Sequence, residues 1–181
     1  MKSTKILLLF LIISVFAYGQ NENNQTEIPN DLIGSWVIMQ KGEGQVPSQI
    51  FRWIFTNSET NKARSEFQWL FKRSEDKDFI TVGALVSILN VENNKFISTT
   101  TKVGTMQKEP MVMEFYETVK WYFPGDPMFE KFPKEESHYF EIIGDVLKLK
   151  QDNNLDGDFN DEGEVQEYMR ESEIVNKIHD N

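Results

Sequence analysis

The most constraining feature of this chain is the alternation of apolar and polar side chains at every second residue. Two segments carry aromatic side chains at this spacing: Phe51, Trp53 and Phe55 in one, and Phe67, Trp69 and Phe71 in the next. Successive side chains of a strand point to opposite faces, so a period of two indicates strands with one buried face. A polar segment, residues 57–62, predicts a turn between the two strands.

The same alternation continues along the chain between turns rich in glycine, proline and asparagine. It predicts further strands at residues 79–89, 96–103, 111–121, 138–143, 146–150 and 165–170. With a first strand starting near Ile33, the total is about eight to nine strands and little helix. Gly83, inside one of these strands, predicts a bulge or a sharp bend. We therefore predict a single all-β domain, built as an antiparallel barrel, a sandwich or a half-barrel.

The amino terminus has the pattern of a cleaved export signal. Lys2 and Lys5 precede a largely apolar run, Ile6 to Ala17, and small residues stand at Ala17 and Gly19. The run is shorter than the roughly 20 apolar residues that cross a bilayer. We predict a signal peptide at residues 1–19, a flexible leader at 20–30, a barrel domain at 31–171 and a tail at 172–181. The mature protein is then periplasmic or secreted.

Cysteine content and net charge exclude several kinds of function. The chain contains no cysteine, which argues against a lipid anchor on a lipobox cysteine, thiol catalysis and cysteine-ligated metal centres. Its formal net charge of −10 argues against nucleic acid and anionic membrane surfaces as partners. Nothing in the sequence identifies a protein partner.

Residues near both ends of the predicted domain resemble those of lipocalin-like domains. Gly34 and Trp36 match the Gly-x-Trp pattern on that family's first strand, and Arg170 stands where a basic residue packs over the tryptophan. The resemblance, which covers Asp31 to Arg170 without the family's disulfide, implies an up-and-down barrel closed at one end by these three residues. A guanidinium stacked on an indole contributes about 0.5–2 kcal/mol. The resemblance also implies an internal cavity for a small hydrophobic or amphipathic ligand.

If such a cavity exists, the apolar residues at strand spacing are its expected lining. The predicted ligand-binding set is Phe51, Trp53, Phe55, Phe67, Trp69, Phe71, Met111, Met113 and Phe115. The alternative is that these side chains only fill the core, since aromatic residues at this spacing usually serve packing. Methionines favour a binding surface, because their side chains adapt to different shapes.

An acidic segment between the last two predicted strands resembles a calcium-binding loop of the D-x-N-x-D-G type. The predicted ligands are Asp152, Asn154, Asp156, Asp158, Asn160 and Glu164. Oxygen ligands at alternate positions suit a hard cation, and Gly157 permits the sharp turn. The usual closing glutamate is replaced by Gly163, and strands rather than helices flank the segment, so the pattern departs from that of an EF-hand. The same ligand run can bind calcium in another setting, with Glu164 or Asp161 as the closing ligand. The alternative is a solvated acidic loop without metal.

No catalytic motif of hydrolases, metalloproteases or nucleotide-binding enzymes occurs in the chain, so we predict that it is not an enzyme. His138 alternates with Phe140 and Ile142, which predicts a position at the rim of the barrel. Two functions are favoured over an enzyme built on the same barrel. One is a ligand-binding barrel, with calcium as a structural ion. The other is a non-enzymatic envelope protein with a filled barrel, whose loop at residues 124–133 contacts a partner. A loop that folds over the open end as a lid would instead favour the ligand-binding barrel.

Overall fold

The computed structural model describes most of the predicted domain. It covers residues 27–41, 47–58, 62–72, 79–106, 115–153, 156, 158–159, 161 and 163–173. The predicted export signal and residues 174–181 of the predicted tail lie outside the described residues. So do four predicted site residues: Met111, Met113, Asn154 and Asn160.

The described chain contains nine strands, two short helical segments and a helical turn at residues 171–173. The strands are β1 (Gly34–Lys41), β2 (Pro47–Asn57), β3 (Ala63–Phe71), β4 (Ile80–Glu92), β5 (Lys95–Met106), β6 (Val119–Tyr122), β7 (Glu135–Ile143), β8 (Val146–Lys150) and β9 (Val165–Arg170). Helix α1 (Phe115–Thr118) precedes β6, and a 3₁₀ turn (Phe129–Lys131) precedes β7. None of the helices in the described part of the chain has the length and apolar character needed to cross a membrane.

Eight of the strands form a closed antiparallel barrel. The ring runs β1-β2-β3-β4-β5-β7-β8-β9, and it closes where β9 pairs with β1. Strand β5 has two neighbours on its second edge: Lys95–Thr99 pair with β7, and Val103–Met106 pair with β6. Strand β6 is therefore an addition to the ring. The predicted all-β, up-and-down barrel is confirmed, and the sandwich and half-barrel are excluded.

The strand predicted for residues 111–121 is wrong over Phe115–Thr118, which form α1, so that only Val119–Tyr122 are extended. Phe115 therefore lies in a helical turn and not on a barrel strand. Trp121, in β6, pairs with Gly104 in the row of residues that faces outward, and the Lys102 amine lies 3.9 Å from the centre of its ring. The alternation of this segment thus belongs partly to the outer surface.

One end of the barrel is closed by the amino-terminal turn and a dense core. Trp36 is fully buried, its Nε1 donates a hydrogen bond to the Leu32 carbonyl (2.9 Å), and Ile28 and Leu32 pack beneath it. The core cluster above the turn contains Trp53, Phe55, Ala63, Leu89, Val91, Phe96, Phe140, Leu147, Leu149 and Tyr168. Large buried side chains therefore fill this end of the barrel in the described part of the chain.

The residues of the predicted closing motif come together at this end. The Arg170 guanidinium lies 4.1 Å from the centre of the Trp36 ring, and Trp36 and Arg170 are direct neighbours across β1 and β9. Arg170 also donates hydrogen bonds to the carbonyls of Asp31 (2.7 Å) and Ile33 (3.2 Å). Gly34 has φ +126°, a conformation that favours glycine, and a Cβ there would lie 3.1 Å from Arg170 Nη1.

The predicted irregularity at Gly83 is present. The register between β3 and β4 shifts after the pair Trp69–Gly83, so that Leu70 pairs with Thr81. A Cβ at Gly83 would lie 2.7 Å from Trp69 Cε3, which means that the glycine makes room for the indole ring. The bulge therefore positions Trp69 inside the open half of the barrel.

Candidate functional site

The barrel interior contains a cavity of about 240 Å³. It lies between the core of the closed end and a second apolar cluster, built on Leu85, Val103 and Phe129, at the other end. The side chains and main-chain atoms around it belong to Trp53, Phe67, Trp69, Leu85, Ser87, Phe132, Pro133, Glu136, His138, Leu149, Gln151, Gly163, Glu164, Gln166 and Tyr168.

One wall of the cavity is aromatic. Strands β2 and β3 place Trp53, Phe67 and Trp69 side by side, with ring centres 4.9 Å apart for Trp53 and Phe67 and 5.3 Å for Phe67 and Trp69. Phe132 extends this wall from the loop before β7, with its ring centre 5.9 Å from that of Trp69. The wall offers several ring faces and edges to a bound molecule.

The opposite wall is polar and comes from β7, β8 and β9. Trp53 Nε1 donates a hydrogen bond to the Tyr168 hydroxyl (3.2 Å), which in turn donates to Gln166 Oε1 (2.6 Å). Burial, more than the nearby charge of Glu136, raises the pKa of Tyr168 to about 12. Tyr168 therefore stays neutral at physiological pH and acts as a fixed hydrogen-bonding group of the wall.

His138 lies in the interior and not at the rim where the sequence placed it. The side chain is 5% exposed, and its ring centre lies 5.0 Å from that of Phe96 and 5.7 Å from that of Trp53. Burial lowers the pKa of His138 to about 4, so the imidazole is neutral near pH 7. Its Nε2 has no hydrogen-bond partner among the described residues. A buried polar atom of this kind is rare and available to a ligand.

Two carboxylates also border the cavity. Glu136 lies on β7, where its Oε1 accepts a hydrogen bond from Gln151 Nε2 (3.4 Å). Glu164 precedes β9 and is only 2% exposed. The main-chain amides of Asn153 (2.9 Å) and Asp161 (3.3 Å) donate to its two carboxylate oxygens. These bonds hold a negative charge at the polar side of the cavity.

The predicted aromatic lining divides into three groups. Trp53, Phe67 and Trp69 line the cavity. Phe55 is fully buried in the closed-end core, and Phe51 and Phe71 are half-buried outside the lining. The position of a residue along its strand decides between these outcomes, because the closed end is filled and only the central layer is open.

The loop at residues 124–133 folds over the open end of the barrel. Phe129 is 2% exposed and packs with Leu85 and Val103, while Phe132 packs against the same cluster. Asp126 shapes the loop, because its Oδ1 accepts a hydrogen bond from the Met128 amide (2.9 Å). The loop therefore has the geometry of a lid rather than of a contact surface, and Phe129 and Phe132 face the barrel.

The acidic loop is described only in part. Asp152 Oδ1 accepts a hydrogen bond from the Asp156 amide (3.2 Å), and Asp156 Oδ1 accepts one from the Asp158 amide (2.8 Å). Glu164 is directed to main-chain amides and to the cavity, as described above. Among the described residues, no group of three or more histidine, cysteine, aspartate or glutamate side chains is arranged to hold a metal ion. Asn154 and Asn160 lie outside this set.

Sequence reasoning missed most of the polar wall. Glu136, His138, Gln151, Gln166 and Tyr168 were not in the predicted set, although they line the cavity. The signal was present in β7, where the alternation that buries Phe140 also directs His138 and Glu136 inward. In β9 the same alternation places Gln166 on the inward face together with Tyr168. The polar residues Gln166 and Glu167 at the start of this strand gave no sign that one of them faces inward.

A larger groove of about 710 Å³ runs along the outside of the barrel, beside Tyr139, Glu141 and Phe159. The ring centres of Tyr139 and Phe159 lie 5.1 Å apart in an edge-to-face arrangement. The groove lies on the surface, and none of its described lining residues has a buried side-chain polar atom without a hydrogen-bond partner. The interior cavity is therefore the stronger candidate for a binding site.

Comparisons with protein-family models, with curated proteins and with solved structures found no match for the chain. The candidate site therefore rests on the geometry of the barrel and on the chemistry of the side chains inside it.

Proposed function

We propose that this protein is an exported, non-enzymatic, lipocalin-like barrel that binds one small amphipathic molecule in its interior. The observation that carries the proposal is the cavity with an aromatic wall and a polar wall facing each other. An apolar pocket with a few convergent polar groups is the usual form of a small-molecule site. The unpartnered Nε2 of His138 supports a bound polar group, since it has no other described partner.

The resemblance to lipocalin-like domains is supported by topology and by the closing motif. The ring of eight strands follows chain order except for the added β6. Arg170 stacks on Trp36 at the closed end, as the family pattern implies. The lid of residues 124–133 covers the opposite end, where a ligand would enter.

The volume limits the size of the ligand. A cavity of about 240 Å³ corresponds to the space of about eight water molecules at roughly 30 Å³ each. Pockets for drug-sized ligands occupy about 300–1,000 Å³. We therefore expect a compact molecule, such as a single ring with a short polar substituent, and not a long acyl chain.

Native mass spectrometry of the protein purified from an exporting host tests this function. We expect a fraction of the protein to carry one organic mass of at most a few hundred daltons, because Phe129 and Phe132 of the lid pack over the open end of the barrel. Trp53→Ala removes the ring that joins the two walls and should reduce this fraction severalfold. Trp121→Ala, on the outer surface, is the matched control and should leave it unchanged.

A bare polypeptide that also fails to take up any added small aromatic compound would contradict the binding function. Retention of the same organic mass by the Trp53→Ala variant would place the ligand elsewhere, with the outer groove beside Tyr139 as the next site to examine.

We further propose that the acidic loop binds calcium. The run Asp152, Asn154, Asp156 supports this, since alternate oxygen side chains followed by Gly157 suit a hard cation. We expect one calcium ion per chain in native mass spectra, lost on treatment with EDTA, with weak affinity of roughly 10⁻⁴–10⁻³ M. Asp156→Asn should weaken uptake, and Asp145→Asn, in the turn between β7 and β8, is the control. Equal calcium content before and after EDTA would contradict the proposal.

A further inference from the structure

We infer that the ligand of the interior cavity is a small organic cation, an amine or quaternary ammonium carried on a compact apolar body. The inference rests on the proposed binding function and names its ligand class. It follows from three features of the cavity: the sign of the charges around it, the rings that face them and the neutrality of the remaining polar groups.

The charges that border the cavity all have the same sign. Glu136 and Glu164 contribute two carboxylates, and no lysine or arginine belongs to the lining within the described part of the chain. Glu164 is 2% exposed, and the ion pairs found among the described residues involve other carboxylates. Two main-chain amides donate hydrogen bonds to Glu164, but no positively charged side chain among the described residues pairs with it, so a cation in the cavity would be stabilised.

The aromatic rings of the opposite wall also favour a positively charged ligand. A cation within about 6 Å of an aromatic ring centre is attracted by the negative face of the ring, most strongly for tryptophan. Trp53 and Trp69 flank Phe67, and Phe132 stands beside Trp69, so that a molecule in the cavity contacts several rings at once. Protein sites for quaternary ammonium groups use this combination of aromatic rings.

The other polar groups do not offset the carboxylates. Burial keeps His138 neutral near pH 7, since its pKa is lowered to about 4, and Tyr168 is neutral because its pKa is raised to about 12. Gln151 and Gln166 are uncharged. The cavity thus carries a net negative charge that repels an anionic ligand and gives a cation an advantage over a neutral molecule of equal shape.

Isothermal titration calorimetry of the full-length processed protein with three probes of nearly equal shape tests the inference. The probes are benzylammonium, benzyl alcohol and benzoate at pH 7. We expect benzylammonium to bind about tenfold more tightly than benzyl alcohol, and benzoate to bind most weakly. Binding of benzyl alcohol or benzoate as tight as that of benzylammonium would overturn the inference while leaving the binding function intact. If none of the probes binds, both the cation inference and its underlying function are contradicted.

Glu136→Gln removes one charge from the cavity and keeps the shape of the side chain. We expect it to abolish most of the preference for benzylammonium over benzyl alcohol, with the affinity for the alcohol unchanged. Glu135→Gln is the matched control, because the neighbouring Glu135 is exposed on the outer face of the same strand. A preference that persists in Glu136→Gln, or that disappears equally in Glu135→Gln, would overturn the assignment. The comparison of probes on the unaltered protein does not depend on the folding of either variant.

Discussion

His138 shows how one buried side chain couples stability to pH. Its pKa is lowered from 6.5 to about 4 because burial disfavours the charged imidazolium. Between these two values the unfolded chain binds a proton that the folded chain does not. The contribution of His138 to stability is therefore fully present above about pH 6.5 and is lost progressively as the pH falls towards 4.

From this linkage we expect His138 to account for a loss of about 2 kcal/mol in the free energy of unfolding between pH 7.5 and pH 5. His138→Phe and His138→Gln both remove the titrating group and should each flatten this part of the pH profile by that amount. Urea denaturation at the two pH values measures the difference. Carboxylate groups contribute equally to the pH profiles of the unaltered protein and the two variants. An unchanged profile in both variants would therefore contradict the assignment of this loss of stability to His138.

Trp53 shows how neighbouring residues of one strand acquire different roles. Trp53 and Phe55 point to the same side of β2, and their ring centres lie 5.5 Å apart. Phe55 is nevertheless sealed in the closed-end core, while Trp53 borders the cavity. Alternation predicts that both face inward, but the height of each ring in the barrel depends on strand tilt and register, which a single strand does not encode.

At the scale of elements, the β1–β9 seam is the shortest junction of the ring. It contains two register pairs, Trp36–Arg170 and Val37–Met169, whereas β1 and β2 pair along almost their full length. Arg170 reinforces the seam through its stack on Trp36 and its hydrogen bonds to the carbonyls of Asp31 and Ile33. A single side chain therefore joins the last strand, the first strand and the amino-terminal turn.

We expect Arg170→Lys to lower the free energy of unfolding by about 2 kcal/mol. Lysine keeps the charge but has no planar group to stack on the indole and cannot reach both carbonyls in the same fork geometry. Arg64→Lys, at an exposed position of β3, is the control and should change stability by less than about 0.5 kcal/mol. Chemical denaturation followed by tryptophan fluorescence measures both variants, and equal stability of the two would show that the seam does not depend on the guanidinium.

Elements differed in how well the sequence specified them. Strands with one buried face, such as β2 and β3, follow from alternation alone, and the bulge beside Gly83 follows from the glycine. The segment before β6 is not a strand over its whole length, because Phe115 and Tyr116 continue an alternating pattern although they form α1. A short helical turn on the outer surface can carry the same residue types as an edge strand.

At the scale of the whole molecule, the sequence predicted the barrel and its closed end but not the character of its cavity. Gly34, Trp36 and Arg170 could be recognised because they match a pattern. The polar wall depends on which strands stand opposite each other after closure. Glu136 and Gln166 are far apart in the chain and border the same cavity only because β7 and β9 flank β8. Their shared location is a property of the tertiary structure.

The order of strands in the ring also shapes the path by which the barrel folds. Most neighbours in the ring are neighbours in the chain and can pair as hairpins at low entropic cost, whereas Trp36 meets Arg170 only after nearly the whole domain is in place. We therefore expect closure of the seam to be a late step, before which the sheet would have two free edges and an uncovered aromatic face. A chain in this state would be prone to aggregation through its free edges and exposed rings. The rate at which Arg170 reaches Trp36 would then determine how long the folding chain can aggregate.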